Sequence, residues 1–164
     1  MDNYIAIDSH ECKLKEHFSS HSNIKFTQLD IGDIILYRNN QPILVIERKS
    51  ITDLYSSIKD GRWREQKARL LGNFPQDKIL YLVEDKKVNY NCLNMKTIHG
   101  SIINTLLRDK IKILFSKSIN DTVLIINILL DRLLKKPEFF EQSTEINYCE
   151  TLKIKKKDNM TPET

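Results

Sequence analysis

Short apolar runs, either alternating or continuous, exchange along this chain with stretches whose apolar residues recur every three or four positions, the pattern of strands interleaved with helices. Tyr4–Asp8 reads as a first strand and Ile24–Leu29 as a second, weaker one. Between them Ser9 is placed to cap a short helix in which Leu14 and Phe18 share a face. Asp33–Arg38 and Ile43–Lys49 make two further strands, and the intervening Asn39, Asn40, Gln41 and Pro42 predict a hairpin loop and antiparallel pairing. Ser50-Ile51-Thr52-Asp53 has the S-x-x-D form of a helix start, so a helix should begin directly after Lys49. Gly61 should end it, because only glycine enters the left-handed C′ conformation cheaply. A second helix from Arg62 to about Leu71 sets Arg62, Glu65, Gln66 and Arg69 along one polar stripe. Lys78–Glu84 and Ile111–Ser116 are strands again, separated by a helix carrying Met95, Ile98, Ile102 and Leu106. The expected fold is α/β, with about six strands in its sheet.

The last helix, Ile119–Lys135, opens on a second S-x-x-D sequence at Ser118–Asp121 and keeps only a narrow polar stripe through Asn120, Asn127 and Asp131. Its apolar surface covers more than half the circumference, so one side should meet the sheet and the other should be covered either by a second subunit, in a homodimer or heterodimer, or by deeper burial within the monomer. Residues 1–136 are expected to form the folded domain and residues 137–164 a polar tail, with Phe139 and Phe140 as its anchors. Lys153 and Lys155–Lys157 make a short basic cluster in that tail, read as a solvated end.

Composition narrows the class. A chain of 164 residues with 40% hydrophobic content suits a single core of ordinary size. Cys12, Cys92 and Cys149 are odd in number and widely spaced, which gives neither a disulfide framework nor a zinc site and favours a reducing compartment. His17 and His21 have i,i+4 spacing but lack an acidic or cysteine partner to complete a ligand set. No apolar run approaches the ~20 residues of a membrane span, and no secretion signal opens the chain, so an intracellular location is expected, nucleus or cytoplasm. The net charge of +4 is modest, yet between Glu47 and Arg69 seven basic residues face four acidic ones.

That segment begins with an anomaly: the strand ILVIERK ends on three charges, Glu47, Arg48 and Lys49. Side chains alternate across a strand, so Glu47 and Lys49 point together with Val45, while Arg48 shares the other face with Ile46. Asp33 opens the neighbouring strand of the hairpin, Asp8 closes the first strand, and Glu11 lies just beyond it. If the strands lie side by side, carboxylates collect at one edge of the sheet, where they repel unless protonated or bridged by a cation. Hard oxygen ligands suit Mg²⁺ or Mn²⁺.

An acid, thirteen residues and then Glu-x-Lys resembles metal-dependent nucleases of the restriction-endonuclease type. Asp77…Glu84-Asp85-Lys86 satisfies nearly the same expression and is read as a solvated strand end. The two copies differ in what surrounds them. Gly32-Asp33, Glu47-Arg48-Lys49, Asp53, Asp60-Gly61-Arg62 and Glu65-Gln66-Lys67 together resemble the core of the XPF-type (ERCC-type) structure-specific endonucleases, especially their Mus branch. The likeness is dense over residues 32–71 and extends in element order from Tyr4 to about Lys135.

The resemblance implies a three-layer α/β/α, restriction-endonuclease-like fold with a central mixed sheet, and a Mg²⁺- or Mn²⁺-dependent endonuclease acting on branched double-stranded DNA such as 3′ flaps, forks or junctions. It implies Asp33 and Glu47 as metal ligands, joined by the Arg48 backbone carbonyl and by Asp8, with Lys49 serving the attacking water. Asp53 is either a catalytic acid or a helix-start carboxylate that orients Arg48 or Lys49. Arg62, Gln66, Arg69 and Lys59 are implied to face the DNA, Arg62 nearest the scissile phosphate. Arg64 and Lys67 read as a solvated helix face. The family's D-x-R-E motif is here Asp8-Ser9-His10-Glu11, which makes His10 and Glu11 auxiliary candidates and predicts a rate that responds to pH at about 6 to 7. Two alternatives stand beside the nuclease: a non-catalytic DNA-binding subunit of a heterodimer, and a Holliday-junction resolvase of the wider superfamily.

Overall fold

A computed structural model of the chain describes residues 2–86, 90–141 and 152–153. Its centre is a six-stranded mixed sheet in the order β2-β1-β3-β4-β5-β6. The strands are β1 (Tyr4–Asp8), β2 (Ile24–Thr27), β3 (Ile34–Arg38), β4 (Gln41–Ser50), β5 (Ile79–Glu84) and β6 (Lys112–Ser116). β3 runs antiparallel to both β1 and β4, while β2 pairs parallel with β1, and β5 and β6 extend the sheet parallel to β4. The C-terminal ends of β1, β4, β5 and β6 therefore meet at one edge, where β3 begins.

Alternation along the strands builds two cores. Ile5, Ile7, Ile34, Leu36, Ile46, Leu80 and Leu82 pack on one face with Leu14 and Phe18 of α1 (Cys12–Phe18) and Ile126, Leu130 and Leu133 of α5 (Ile119–Lys135). Ile35, Val45, Ile79, Tyr81 and Val83 pack on the other with α2 (Ile51–Asp60), α3 (Arg62–Asn73) and α4 (Met95–Ile103). The result is the expected three-layer arrangement. Leu124, Ile128 and Leu134 remain on the outer side of α5, at 56%, 44% and 41% exposure, so its broad apolar surface is only half used by the sheet.

Local signals set most boundaries. Ser50 caps α2 by accepting the Asp53 N–H at 3.1 Å, and Ser118 caps α5 through Asp121 at the same distance. The hairpin turn is tighter than its four polar residues suggest. Asn39 and Asn40 alone turn the chain, both with positive φ (52° and 61°), and Gln41 and Pro42 already pair with Arg38 and Tyr37. Pro42 is tolerated because the register shifts there, leaving no ladder position that demands its missing N–H.

Two boundaries move for one reason, the Asp8 carboxylate. Ser9 does not cap α1, which starts at Cys12, because Asp8 Oδ2 accepts the His10 N–H and turns the chain itself. β2 ends at Thr27 rather than Leu29, since the Leu29 N–H goes to Asp8 Oδ1 at 2.8 Å. After α5 the chain is held through Glu141: Phe140 packs on the core, Arg132 stacks over Phe139, and Arg38 pairs with Glu141. Cys149 and Lys155–Lys157 lie outside the described residues, while Cys12 and Cys92 are free and exposed. Among the described residues no helix is long and apolar enough to cross a membrane.

Gly61 and Gly32 both have positive φ, 85° and 81°, but differ in surroundings. A Cβ on Gly61 meets nothing within 4 Å, whereas one on Gly32 would lie 2.6 Å from Val45 Cγ1. Gly61→Ala should therefore cost about 1 kcal/mol, from backbone strain alone. Gly32→Ala should cost roughly 2–4 kcal/mol, because the core must also shift. Urea titration of both variants measures the difference, and equal losses would show that the Val45 contact is immaterial.

Candidate active site

Glu47 and Lys49 leave the α3 side of β4 near its C-terminal end, on the same face as Val45, and Asp33 sits at the start of the adjacent β3. The Asp33 N–H donates to the Ile46 carbonyl at 2.9 Å, closing the β3–β4 ladder. One step later Asp33 Oδ2 accepts the Arg48 N–H at 2.8 Å, so the carboxylate takes over where the ladder stops. In a strand the N–H and C=O of one residue face the same neighbour, and the Arg48 carbonyl therefore opens toward the Asp33 side.

Asp33 and Glu47 line one cleft of about 200 Å³ with Asp8, Gly32, Gln66 and Arg69. Burial raises the Asp33 pKa despite the Arg48 N–H and the Lys49 charge. Burial, then repulsion from Asp33, pushes Glu47 up to about 7, against the attraction of Lys49. Two desolvated carboxylates that oppose one another's ionisation are a suitable donor pair for a hard divalent cation, which removes the repulsion. Lys49 is held beside them: its Nζ donates to Gln66 Oε1 at 2.7 Å and lies 4.0 Å from Glu47 Oε1.

The expected gathering of acids is smaller than the sequence suggested. Among the described residues no group of three or more His, Cys, Asp or Glu side chains is arranged to hold a metal ion. Asp8 borders the cleft, yet Oδ1 is taken by Leu29, and Oδ2 by the His10 N–H and, at 2.8 Å, His10 Nδ1. Burial alone would raise the Asp8 pKa, but these hydrogen bonds hold it below the usual value.

Glu11, Asp53 and Arg48 belong to a second cleft, about 450 Å³, which also contains His10, Glu84 and Lys86. Arg48 points away from Glu47 and Lys49 to the opposite face of the sheet, so its guanidinium is no part of the acid cleft. It makes two bonds to Glu84, Nε to Oε1 at 2.6 Å and Nη2 to Oε2 at 2.9 Å, and one to Glu11 Oε2 at 2.6 Å. Asp53 is exposed, its backbone N–H serves the Ser50 cap, and its carboxylate orients neither Arg48 nor Lys49.

Glu84 corrects the sequence reading outright. It is no solvated strand end but is 1% exposed, accepts from Thr122 Oγ1 at 2.7 Å, and is the main partner of Arg48. Lys67 is likewise no solvated residue: its Nζ binds Thr105 Oγ1 and Asp109 Oδ2 at 2.7 and 2.8 Å. Gln66, expected to face DNA, spends its amide oxygen on Lys49. Arg62 and Arg69 are exposed; Arg62 pairs with Asp60, and Arg69 reaches the Asp30 carbonyl at the rim of the acid cleft. Lys59 lines a separate groove of about 890 Å³ with Arg64, Lys96 and Arg108.

Comparison with known proteins places this geometry in context. Residues 7–129 match the model of the ERCC4 domain. The probable crossover junction endonuclease mus81 of Dictyostelium discoideum is 30% identical over 135 residues, which cover 73% of this chain and 15% of that protein. The crossover junction endonuclease mus-81 of Neurospora crassa is 47% identical over 47 residues, 29% of this chain and 6% of that one. The chain thus spans less than a sixth of these relatives. Among solved structures, XPF from Aeropyrum pernix in complex with DNA superposes with a TM-score of 0.65 at 23% identity, covering 82% of this chain and 66% of that one, and so shares the fold.

The raised pKa of Glu47 has a signed consequence. Between its ordinary 4.5 and about 7 the folded chain holds a proton that the unfolded chain releases, so stability falls as pH rises through that window. Glu47→Gln removes the buried charge. In chelator-treated protein it should raise Tm on the order of 5 °C near pH 8 and little at about pH 4.5. Calorimetry showing a destabilised variant near pH 8 would contradict the assigned burial.

Proposed function

The chain belongs to the ERCC4 domain family, and from that premise we propose that it is a Mg²⁺- or Mn²⁺-dependent endonuclease hydrolysing DNA phosphodiesters at branched structures such as 3′ flaps, forks or junctions. The observation that carries this reading is the partly buried Asp33–Glu47 pair beside Lys49, itself fixed by Gln66. Asp33 and Glu47 are the proposed ligands, with the Arg48 carbonyl as a third oxygen. Two carboxylates and a carbonyl suit an ion that keeps several waters and shares a substrate phosphate. Such an ion, when bound, supplies Lewis-acid polarisation of a phosphoryl oxygen and a lowered pKa for water.

The protein's own groups do the rest. The Lys49 ammonium, with its direction fixed by Gln66, stabilises negative charge that grows on the phosphate, and in a desolvated cleft that interaction is stronger than in water. Arg69 at the rim of the cleft and Arg62 at the start of α3 are exposed cations suited to backbone phosphates rather than to bases, and Lys59, in its separate groove, is a further basic residue proposed to meet the DNA. His10 and Asp8 organise the loop that closes the cleft from the β1 side. The uncovered face of α5 around Leu124 and Ile128 is the proposed dimer surface, for an identical or a related subunit.

A 3′-flap substrate labelled on the cut strand tests the reading directly. The wild-type chain should nick it with Mg²⁺ or Mn²⁺ and not with chelator. Asp33→Ala or Lys49→Ala should lower the rate by about 10² to 10³-fold. Their affinity for the same DNA in chelator should change less than about 3-fold, since neither residue is a backbone anchor. Binding without cutting by the wild type would favour the non-catalytic subunit; symmetrical paired cuts in a four-way junction would favour a resolvase. For the dimer, light scattering at micromolar concentration should give twice the chain mass and Ile128→Glu the mass of one chain. A monomeric wild type would remove α5 as a self-association surface.

A further inference from the structure

Beneath the acid cleft, on the other face of the sheet, lies a clip that none of the proposed catalytic roles accounts for. Glu11 follows β1, Arg48 is on β4 and Glu84 ends β5, so the chain Glu11–Arg48–Glu84 spans the catalytic edge across β3. Glu84 in turn accepts from Thr122 at the start of α5, and Thr122 Oγ1 contacts Ser116 Oγ of β6 at 2.8 Å. Ser116 Oγ donates to the Ser118 carbonyl at the α5 cap. All these groups are buried or nearly so, with Glu84 and Arg48 side chains at 2% and 15% exposure. The remaining neighbour is Lys86, whose Nζ lies 3.8 Å from Glu84 Oε2.

The placement matters because Arg48 sits between the two proposed catalytic residues of its strand. β3 stops pairing with β4 after Ile46, and the last tie on that side is the Arg48 N–H on Asp33 Oδ2. The other side of the strand end is paired with β5 through Ser50, so the Asp33 side, held by a single side-chain bond, is the one that can part unless the Arg48 side chain is pinned. The bidentate Glu84–Arg48 pair supplies that pin, since a fork on a carboxylate sets orientation as well as distance.

We propose that Glu84 is a positioning residue of the active site: through Arg48 it holds the end of β4, and so keeps the Arg48 N–H on Asp33 and sets Glu47 and Lys49 at the cleft. Thr122 supports it by fixing Oε1. The proposal rests on the reading that Asp33 and Glu47 bind a divalent ion, but part of it can be read without metal.

The test is Glu84→Gln, which keeps shape and one hydrogen bond while removing the charge, compared with wild type as the whole chain. In chelator, hydrogen exchange followed by NMR should show the Arg48 amide exchanging at least 10-fold faster, with the Val45 and Ile46 amides changed less than 2-fold. A purely stabilising role would instead accelerate all three together. With Mn²⁺ as probe, calorimetry should give at least a 10-fold weaker dissociation constant. On the flap, kcat should fall at least 10-fold at unchanged KM. If Glu84→Gln does not fold, Thr122→Val, which leaves the ion pair and removes the hydroxyl between Glu84 and Ser116, should show the same selective change at the Arg48 amide, about 3-fold. Unchanged Arg48 exchange in a folded variant overturns the proposal. No Mn²⁺ uptake by wild type sinks the metal reading alone, and the amide result still decides for or against the clip.

Discussion

Charges at the end of β4 are largely withdrawn from solvent on both faces of a sheet that is covered by helices on both sides, and such a charge is tolerated only where a partner or a hydrogen-bond set replaces water. Alternation sends Glu47 and Lys49 one way and Arg48 the other, so two separate sets of partners are required. On the α3 side Gln66 receives Lys49, and the two acids are left opposing one another. On the α5 side Glu84 and Glu11 receive Arg48. In the first set the acids are incompletely compensated, whereas in the second the Arg48 guanidinium is satisfied by two carboxylates. That inequality sets the two faces apart electrostatically.

The surrounding fold serves this edge. β3 enters in the opposite sense to β1 and β4, which brings Asp33, immediately before its first residue, to the level at which β1 and β4 end. Gly32 makes the entry possible, with a positive φ and no Cβ to strike Val45. Asp8 spends its carboxylate on His10 and Leu29 and thereby shapes the loops around the cleft. The Ser50 and Gly61 caps bracket α2, so that α3 starts immediately and lays Gln66 and Arg69 along the cleft. α5 contributes twice, with Thr122 holding Glu84 at its first turn and an outer apolar surface left open further along.

Division of the motif acids between two clefts changes how the family resemblance is read at residue level. Asp33, Glu47 and Lys49 form one group, while Glu11 and Arg48 meet in another, with Asp53 exposed at its margin. A motif written as a line of letters hides that split. Its members need not share one task, and the physical distinction is whether a charge is neutralised within the protein or left to be neutralised by what binds. The shared fold with XPF from Aeropyrum pernix and the ERCC4 domain match describe the frame common to both groups.

Much of this was legible in one dimension. Hydrophobic period and capping residues act between near neighbours, so β1, the β3–β4 hairpin, the α2 start at Ser50, the α2–α3 break at Gly61 and the whole of α5 follow from local sequence. The pairing of Asp33 with Glu47 followed from hairpin geometry and alternation. What the chain alone left open depends on which distant strands become neighbours. Glu84 sits in a string almost identical to the Asp33…Glu47-x-Lys49 pattern and reads as a solvated end; only the parallel register that sets Ser50 beside Glu84, and the arrival of α5 from above, bury it against Arg48. Lys67 misleads in the same way, because its partner lies at Asp109, and the groups that hold Glu11 and Asp8 lie equally far along the chain, at Arg48 and Leu29. Local composition determined where charge would be placed, and tertiary packing decided which charges found a partner, since desolvation depends on what closes over a residue and not on what precedes it.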